Sequence, residues 1–277
     1  MSGGRINWYP GHMNKARREI AKAMPKVDLV MEVLDARIPG SSSNPLVPEL
    51  RGEKPFLKIL NKADLADPGA TGTWIRHLEN TPGVRAIAIQ KDKDREVRAL
   101  LDVARGMLPD RRKGGRPILA MILGIPNVGK STLINTMCGR AIAKVGNRPA
   151  VTQHQARIKA AKDFVLLDTP GFLWPRLDPP VCGSRLAVTG AIKDAVLDLD
   201  EIAFFAARHM IARYPALLVE KYGIEKEEYE PYELLEYIGA KRGCLGRGGM
   251  LDLQKASEIF LRELRAGSIG RLTLEWP

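Results

Sequence analysis

The sequence predicts an α/β protein, with a doubly wound, mostly parallel sheet followed by a smaller all-helical C-terminal domain. Two observations support this prediction. Short apolar runs alternate with helical stretches up to about residue 171, and helical apolar spacing replaces this alternation from Leu186 onward. The 277 residues, 45% hydrophobic and 27% charged, can bury the core of one large domain or of two ordinary ones.

Five apolar runs have the length and composition of strands buried in a parallel sheet. They are Leu29–Leu34, Pro55–Leu60, Val84–Ile89, Ile118–Leu123 and Phe164–Leu167. Alternating polarity over Ala156–Lys162 predicts a sixth strand at a sheet edge. The helical stretches between these runs include Thr73–Asn80, Arg95–Leu108 and Ser131–Cys138.

A proline-punctuated segment separates the two predicted domains. Pro175, Pro179 and Pro180 interrupt regular structure there. The predicted organisation is a nucleotide-binding domain at residues 1–176, a proline-rich linker at 177–185 and a helical domain at 186–277. In the helical domain Gly223, Gly243 and Gly267 are expected near helix ends.

The charge of the chain is concentrated in its first part. The net charge is +11, with +14 on residues 1–194 and −3 on residues 195–277. This distribution predicts a polyanionic partner, and nucleic acid is favoured over the alternative of a charge that only maintains solubility. The helical domain at 186–277 is expected to bind RNA and the assembly that carries it.

Cysteine usage and hydropathy indicate a cytoplasmic protein without a membrane span. Cys138, Cys182 and Cys244 are scattered singly, which argues against a zinc site or a disulfide framework and fits a reducing compartment. No apolar run approaches the ~18 residues that a membrane span requires. The basic N-terminus has no apolar signal-peptide centre, and a cleaved leader is not expected.

A glycine-containing loop follows the predicted strand at residues 118–123. Residues 124–131 read GIPNVGKS and match G-x-x-x-x-G-K-[ST] between a strand and a helix, the context that the motif requires. In this motif backbone N–H groups surround nucleotide phosphates, Lys130 reaches the β- and γ-phosphates, and Ser131 binds Mg²⁺. The sequence therefore predicts a phosphate-binding loop.

The stretch Asp-Thr-Pro-Gly at residues 168–171 ends another predicted strand. Asp168 can hold Mg²⁺ through water, and the N–H group of Gly171 can contact the γ-phosphate. The intervening stretch NRPAVTQ is typical of a mobile switch loop, and Thr152 is the candidate for a second hydroxyl beside Mg²⁺. The alternative for residues 168–171 is an ordinary exit from a strand into a turn. The alternative for Thr152 is a loop threonine that makes a local turn hydrogen bond.

A guanine-reading motif, Asn61-Lys62-Ala63-Asp64, follows the predicted strand at residues 55–60. The Asp64 carboxylate can accept hydrogen bonds from guanine N1–H and the exocyclic amine, donors that adenine lacks at this edge. Two such bonds would discriminate by a factor of order 10² to 10⁴. Asn61 would brace the loop and the Lys62 stem would cover the base. Beside the phosphate loop, this motif predicts GTP as the substrate.

The order of the motifs is unusual, because the guanine motif precedes the phosphate loop. Loops at the carboxyl ends of parallel strands form one pocket wherever they lie in the chain, so a circular permutation preserves the site. The predicted GTP-binding residues are Asn61, Lys62, Asp64, Asn127, Val128, Gly129, Lys130, Ser131, Thr132 and Gly171.

In this motif order the chain resembles the circularly permuted GTPases of ribosome assembly, and within them the ribosome biogenesis GTPase A family. The segments that carry the resemblance are NWYPGHMNKARREI, LDARIPGSSSNP, NKADL, GIPNVGKSTLIN, DTPGFLWP and GSIGRLTLE, which span nearly the whole chain. The resemblance implies a permuted GTPase domain, a helical C-terminal domain, and a role in maturing the large ribosomal subunit with its rRNA and ribosomal proteins. The protein is expected to be monomeric away from the ribosome.

The catalytic apparatus departs from Ras-like enzymes, in which a glutamine after D-x-x-G orients the attacking water. Phe172 stands here and cannot hydrogen-bond a water, so intrinsic hydrolysis is expected to be slow. The resemblance implies that His12 supplies this function, and Lys130, Thr152 and Gly171 complete the predicted catalytic set. The alternative for His12 is RNA contact or packing.

Two further features concern the surroundings of the nucleotide. The resemblance implies K⁺ stimulation with Asn127 as a potassium ligand, and the alternative is an asparagine that serves turn geometry. The guanine-side loop that usually reads S-A-K is replaced by IAIQ at residues 87–90.

A nucleotide-gated RNA-binding scaffold with incidental hydrolysis is the rival function. An ATPase or small-molecule kinase is disfavoured by the guanine motif.

Overall fold

The computed structural model describes residues 18–90, 94–110, 115–142, 156–171, 173–174, 177–224, 229–246 and 250–277. In this part of the chain, six strands form one sheet of order β3-β2-β1-β4-β6-β5. The strands are β1 (Leu29–Asp35), β2 (Phe56–Asn61), β3 (Val84–Ala88), β4 (Ile118–Gly124), β5 (Ala156–Ala161) and β6 (Phe164–Asp168). Neighbouring strands are parallel except β5 and β6. The predicted fold class is confirmed.

Burial explains why the strands could be found from their composition. All seven residues of β1 are buried, because the strand lies between β2 and β4 in the sheet. Its one charged residue before the end, Glu32, accepts a hydrogen bond from Lys58 Nζ of β2 at 3.0 Å. Strand β5 lies at the edge of the sheet and buries Ile158 between exposed neighbours, as its alternating sequence predicts.

The described helices begin with α1 (residues 18–23). They continue with α2 (Pro39–Ser42), α3 (Val47–Arg51), α4 (Pro68–Glu79), α5 (Asp94–Gly106), α6 (Lys130–Cys138), α7 (Val181–Val188), α8 (Leu199–Arg213), α9 (Pro215–Tyr222), α10 (Pro231–Lys241) and α11 (Leu253–Arg265). Helix α4 begins five residues earlier than predicted, because the Asp67 side chain caps it by accepting from Ala70 N and Pro68 takes the first turn.

The second part of the chain is mainly helical. Helix α11 packs against α8 and α10, and the buried residues of this part are continuous with the core of the sheet. Gly223, Gly243 and Gly267 have positive φ and follow the ends of α9, α10 and α11, where they were expected. Helix α7 begins at Val181, inside the predicted linker, because Pro180 is accommodated at its N-cap.

The last residues return from α11 to the sheet domain. Leu272 N donates to Leu65 O at 3.0 Å, and Leu274 N donates to Arg37 O at 2.8 Å. The residues after Arg265 form no helix. The end of the second part is therefore a non-helical segment packed on the first.

Among the described residues, no single helix combines the length and apolar character of a membrane span. Helices α8 and α9 reach that composition only as a pair, and they meet at a bend of 107°.

Candidate functional site

The motifs predicted to bind a nucleotide converge at the carboxyl edge of the parallel strands. Strand β2 ends at Asn61, β4 at Gly124 and β6 at Asp168. In the sheet, Asp35 of β1 is in register with Asn61, and Ile122 of β4 with Asp168. Strand β1 therefore separates the guanine motif from the phosphate loop by one strand width, about 4.8 Å on each side.

The phosphate loop, residues 124–131, has the backbone conformation that its glycine-rich motif predicts. Asn127 and Gly129 have φ angles of 57° and 97°, both left-handed, and Gly129 is the N-cap of α6. A Cβ on Gly124 would lie 2.9 Å from Val33 O, so the close approach of β1 also requires glycine there. The N–H groups at the start of α6 are backbone donors of the kind that bind anions in other proteins.

The guanine motif is bonded directly to the phosphate loop. We call residues 61–67 the base loop. Asn61 Nδ2 donates to Val128 O at 2.8 Å, and Lys62 Nζ donates to Asn127 O at 3.0 Å. The Asn61 amide, which was expected to brace the loop, is thus bonded to the phosphate loop, and a Cβ on Gly129 would lie only 2.3 Å from its nitrogen.

A buried ion cluster beneath this junction was not foreseen from the sequence. Asp35 accepts hydrogen bonds from Arg37 Nε and Nη2, at 2.9 and 2.8 Å, and from Lys62 Nζ at 2.9 Å. Burial alone would raise the pKa of Asp35, but the Arg37 and Lys62 cations outweigh burial and hold it well below its ordinary value. The signal in the sequence was Asp-Ala-Arg directly after a buried strand.

Lys130 and Asp168 form a second buried pair, with Nζ and Oδ1 separated by 2.6 Å. Both side chains are less than a tenth exposed. Asp168 ends β6 beside the phosphate loop, and the neighbouring Thr169 Oγ1 donates to Ile122 O at 2.8 Å. The lysine expected at the phosphates and the carboxylate expected near Mg²⁺ are therefore within one hydrogen bond of each other.

Gly171 lies against the phosphate loop. A Cβ at this position would approach Pro126 N and Cα at 3.2 Å, closer than most such contacts in proteins. Ser131 is half-buried at the start of α6, Val128 is buried, and Thr132 is exposed. The predicted phosphate-side residues within the described ranges therefore lie at one end of the sheet.

A cavity of about 1380 Å³ opens beside the base loop. Asn61, Lys62 and Asp64 line it from the base loop, and Gln90 lines it from the segment that replaces S-A-K. A second wall is formed by residues between Thr189 and Leu199 and by α11, including Arg262. This wall was not predicted, because nothing local in the helical sequence indicates which face turns toward the sheet.

Asn127 connects the phosphate loop to that wall. Its Nδ2 donates to Gly190 O at 2.9 Å. The bond uses the amide nitrogen, and a potassium ion would require the amide oxygen. Three residues of the sequence-based mechanism, His12, Thr152 and Phe172, lie outside the described residues.

The chain also has clear relatives among known proteins. Residues 119–238 match the family model described as 50S ribosome-binding GTPase. Ribosome biogenesis GTPase A of Bacillus cereus is 45% identical over 98% of this chain and 94% of its own length. The mitochondrial ribosome-associated GTPase 1 of Ictalurus punctatus is 32% identical over 97% of this chain and 92% of its own.

Solved structures give the same result. A GDP-bound structure of YlqF superposes with a TM-score of 0.65 at 28% identity, covering 94% of this chain and 99% of its own. A GNP-bound structure of YlqF from T. maritima gives the same score and identity over 95% of this chain and 98% of its own.

Proposed function

Because the chain belongs to the ribosome biogenesis GTPase A family, we propose that it binds and hydrolyses GTP during late assembly of the large ribosomal subunit. The single observation that carries the proposal is the bonded junction between base loop and phosphate loop, with Asn61 Nδ2 2.8 Å from Val128 O. This junction holds a base reader and a phosphate site at a fixed separation, which a purine nucleoside triphosphate can span.

We propose the following division of roles in nucleotide binding. The Asp64 carboxylate, which lines the cavity, accepts hydrogen bonds from guanine N1–H and the exocyclic amine. Lys62 covers the base while its ammonium group stays anchored between Asp35 and Asn127 O. The N–H groups from Val128 to Thr132 surround the phosphates, and Gly171 donates to the γ-phosphate.

The donor set at the phosphate end fits Mg²⁺. No group of three His, Cys, Asp or Glu that could hold a metal occurs among the described residues. Mg²⁺ in nucleotide sites is typically held by one or two protein oxygens, phosphates and waters, so the Ser131 hydroxyl and the Asp168 carboxylate are an appropriate pair. The ion would neutralise charge on the phosphates; Thr152 is proposed as its switch-loop ligand.

Hydrolysis by this chain is proposed to depend on Lys130 for charge stabilisation. Lys130 must exchange its bond with Asp168 for the phosphates, which frees the carboxylate oxygen toward the Mg²⁺ side. Gly171 positions the γ-phosphate, and His12 is proposed to orient water in place of the glutamine absent at Phe172. Asn127 is proposed to hold K⁺ through its amide oxygen, which adds positive charge beside the phosphates.

The ribosomal partner is proposed from charge and from family. The relatives are named for ribosome biogenesis, and the first 194 residues carry the whole surplus of positive charge. We propose that the chain acts in the cytoplasm, binds precursor large subunits through rRNA and ribosomal proteins, and is monomeric off the ribosome. Slow intrinsic turnover is proposed because the water-orienting glutamine is missing, and acceleration by the particle is proposed with it.

We propose that the chain consists of a GTPase domain at 1–176, a proline-rich linker at 177–185 and a helical domain at 186–277 that binds RNA or the ribosome. Two features of the structure bear on these boundaries. Helix α7 occupies the second half of the linker segment, and residues 271–275 pack on the first domain. Residues after Gly171 run into the helical part, so loss of the γ-phosphate is proposed to change its orientation and its grip on RNA. Identical scattering profiles and RNA affinities with GDP and a non-hydrolysable GTP analogue would contradict this switch.

The decisive experiment is GTP turnover with and without purified large-subunit precursors, in K⁺ buffer with Mg²⁺. An acceleration of about 100-fold or more supports a particle-activated GTPase. Equal rates support the rival, a nucleotide-gated RNA-binding scaffold. Lys130→Ala, assayed in parallel, shows how much of the measured rate belongs to this site.

A further inference from the structure

The closing stretch of the chain, residues 267–275 with the sequence GSIGRLTLE, contacts the base loop. Arg271 Nε donates to Ala66 O and its Nη2 donates to Ala63 O, both at 2.9 Å. Leu272 N donates to Leu65 O at 3.0 Å. Three backbone carbonyls around Asp64 are thus held by two consecutive residues about 205 positions away.

These contacts concern the residue proposed to read guanine. Ala63 and Leu65 flank Asp64, so bonds to their carbonyls set the direction in which the Asp64 side chain leaves the backbone. A loop that is already ordered loses less conformational entropy when a ligand binds. The closing stretch can therefore affect base recognition through the backbone of the base loop.

The closing stretch is itself firmly positioned. Glu275 is 4% exposed and accepts from Ser41 N and from Arg185 Nη1, each at 2.7 Å. Thr273 is fully buried, and its Oγ1 accepts from Asp67 N at 3.2 Å. The Thr273 bond continues the contact beyond Arg271 to the end of the base loop, and the Glu275 bonds hold the closing stretch to Ser41 and Arg185.

Gly267 allows the close approach at the other end. Its φ angle is +74°, and a Cβ there would lie 2.5 Å from Leu65 Cδ2. A side chain would be strained at this φ angle and would force the Leu65 side chain of the base loop to shift. Gly267, Arg271 and Glu275 are four residues apart in GSIGRLTLE, and each makes one of the contacts described above that hold the closing stretch in place.

We propose that Arg271 is a positioning residue for guanine recognition, which acts through the backbone of the base loop without touching the nucleotide. The inference rests on the proposed role of Asp64 in reading guanine. It predicts that Arg271 contributes to discrimination between guanine and hypoxanthine, which lacks the exocyclic amine, because only a correctly directed carboxylate can use that amine.

The test compares the affinities of GDP and IDP for the full chain, measured by competition against a fluorescent guanine nucleotide. The variants are Arg271→Ala and Arg271→Lys, and the control is Arg242→Ala. Arg242 pairs with Glu263 at 2.6 Å within the helical part, so the control also removes an arginine ion pair. Thermal unfolding of each variant is recorded by circular dichroism.

For Arg271→Ala we expect GDP affinity to fall about fivefold, the equivalent of one net hydrogen bond, and the preference for GDP over IDP to fall with it. Arg271→Lys should retain an intermediate preference, since its ammonium group can still donate to one carbonyl. Arg242→Ala should keep the wild-type preference. General destabilisation alone would leave the ratio of the two affinities unchanged.

Two results would overturn the inference, and they are distinguishable. A wild-type preference that persists in Arg271→Ala refutes the positioning role and leaves the role of Asp64 intact. A wild-type protein that binds GDP and IDP equally refutes the proposed base reader, and the inference fails with it.

Discussion

Replacement of Asp35 by Asn tests whether the buried ion cluster holds the nucleotide site together. Asp35 is 2% exposed and compensates Arg37, which is 1% exposed, as well as Lys62. The substitution preserves side-chain volume but removes the negative charge. The buried Arg37 guanidinium then loses the anion that accepts its hydrogen bonds, although the charge of Asp64 still acts on it.

The size of the effect follows from this burial. Removal of one partner of a buried ion pair costs about 3–5 kcal/mol, and the Asn oxygen can still accept one bond, so we expect the lower end, about 3 kcal/mol. At about 2–4 °C per kcal/mol for a chain somewhat smaller than this one, the Tm should fall by about 6–12 °C. Lys62 also loses its anchor, so GDP should bind more weakly.

The assay is thermal unfolding at pH 7, followed by circular dichroism with and without GDP. Asp163→Asn is the matched control, because Asp163 pairs with Arg105 at 2.8 Å but is 58% exposed. Solvent screens such a pair, and its loss should cost less than about 1 kcal/mol. Equal Tm shifts for the two variants would refute the argument that burial makes the Asp35 cluster important.

The pH dependence gives an independent check. A carboxyl group with a depressed native pKa contributes its full stability above the ordinary aspartate pKa of about 3.9 and loses it as pH falls toward the native pKa. The Tm difference between wild type and Asp35→Asn should therefore be constant between about pH 5 and 7. It should narrow below about pH 4, and a difference that instead grows with acidification would contradict the assignment.

Three further predictions concern the nucleotide. Asp64→Asn should weaken GTP binding about 100-fold and favour XTP, measured by competition binding; unchanged GTP affinity would exclude Asp64 as the base reader. Gly129→Ala should weaken GDP binding at least about tenfold, because its Cβ would lie 2.3 Å from the Asn61 amide nitrogen. The control is Gly139→Ala, which has open space around its Cβ and should bind GDP with wild-type affinity. Replacement of K⁺ by Na⁺ should slow GTP turnover about tenfold in the wild type and much less in Asn127→Gly. Glycine is chosen because it tolerates the φ angle of 57° at this position. Equal slowing in both proteins would show that Asn127 is not a potassium ligand.

The sheet was predictable because its strands are continuous apolar runs that are buried on both faces. The convergence of residues 61, 124 and 168 was also predictable, because parallel strands place their carboxyl ends at one edge. The family resemblance and the structure agree on this arrangement. The direct contacts of Asn61 and Lys62 with the phosphate loop specify it further.

Contacts between distant polar residues were not predictable. Arg271 bonds to Ala63 and Ala66 across about 205 positions, and no periodicity in the closing stretch indicates this pairing. Asp35 and Arg37 are close in sequence, but their role depends on burial by other elements. The start of α4 at Pro68 was missed although Asp67 followed by proline is a recognisable N-terminal signal.

The central position of β1 has a consequence for the order of folding. Strand β2 pairs with β1 and with β3 within residues 29–88, whereas β4 joins the other side of β1 from about 90 residues away. Loop closure over the longer distance costs more entropy, so we expect the half-sheet that bears the base loop to acquire amide protection first during refolding. If pulsed hydrogen exchange shows that the amides of β4 and β6 become protected before those of β2, the order of folding is the reverse. The permuted chain would then gain no kinetic advantage from having β1, β2 and β3 early in its sequence.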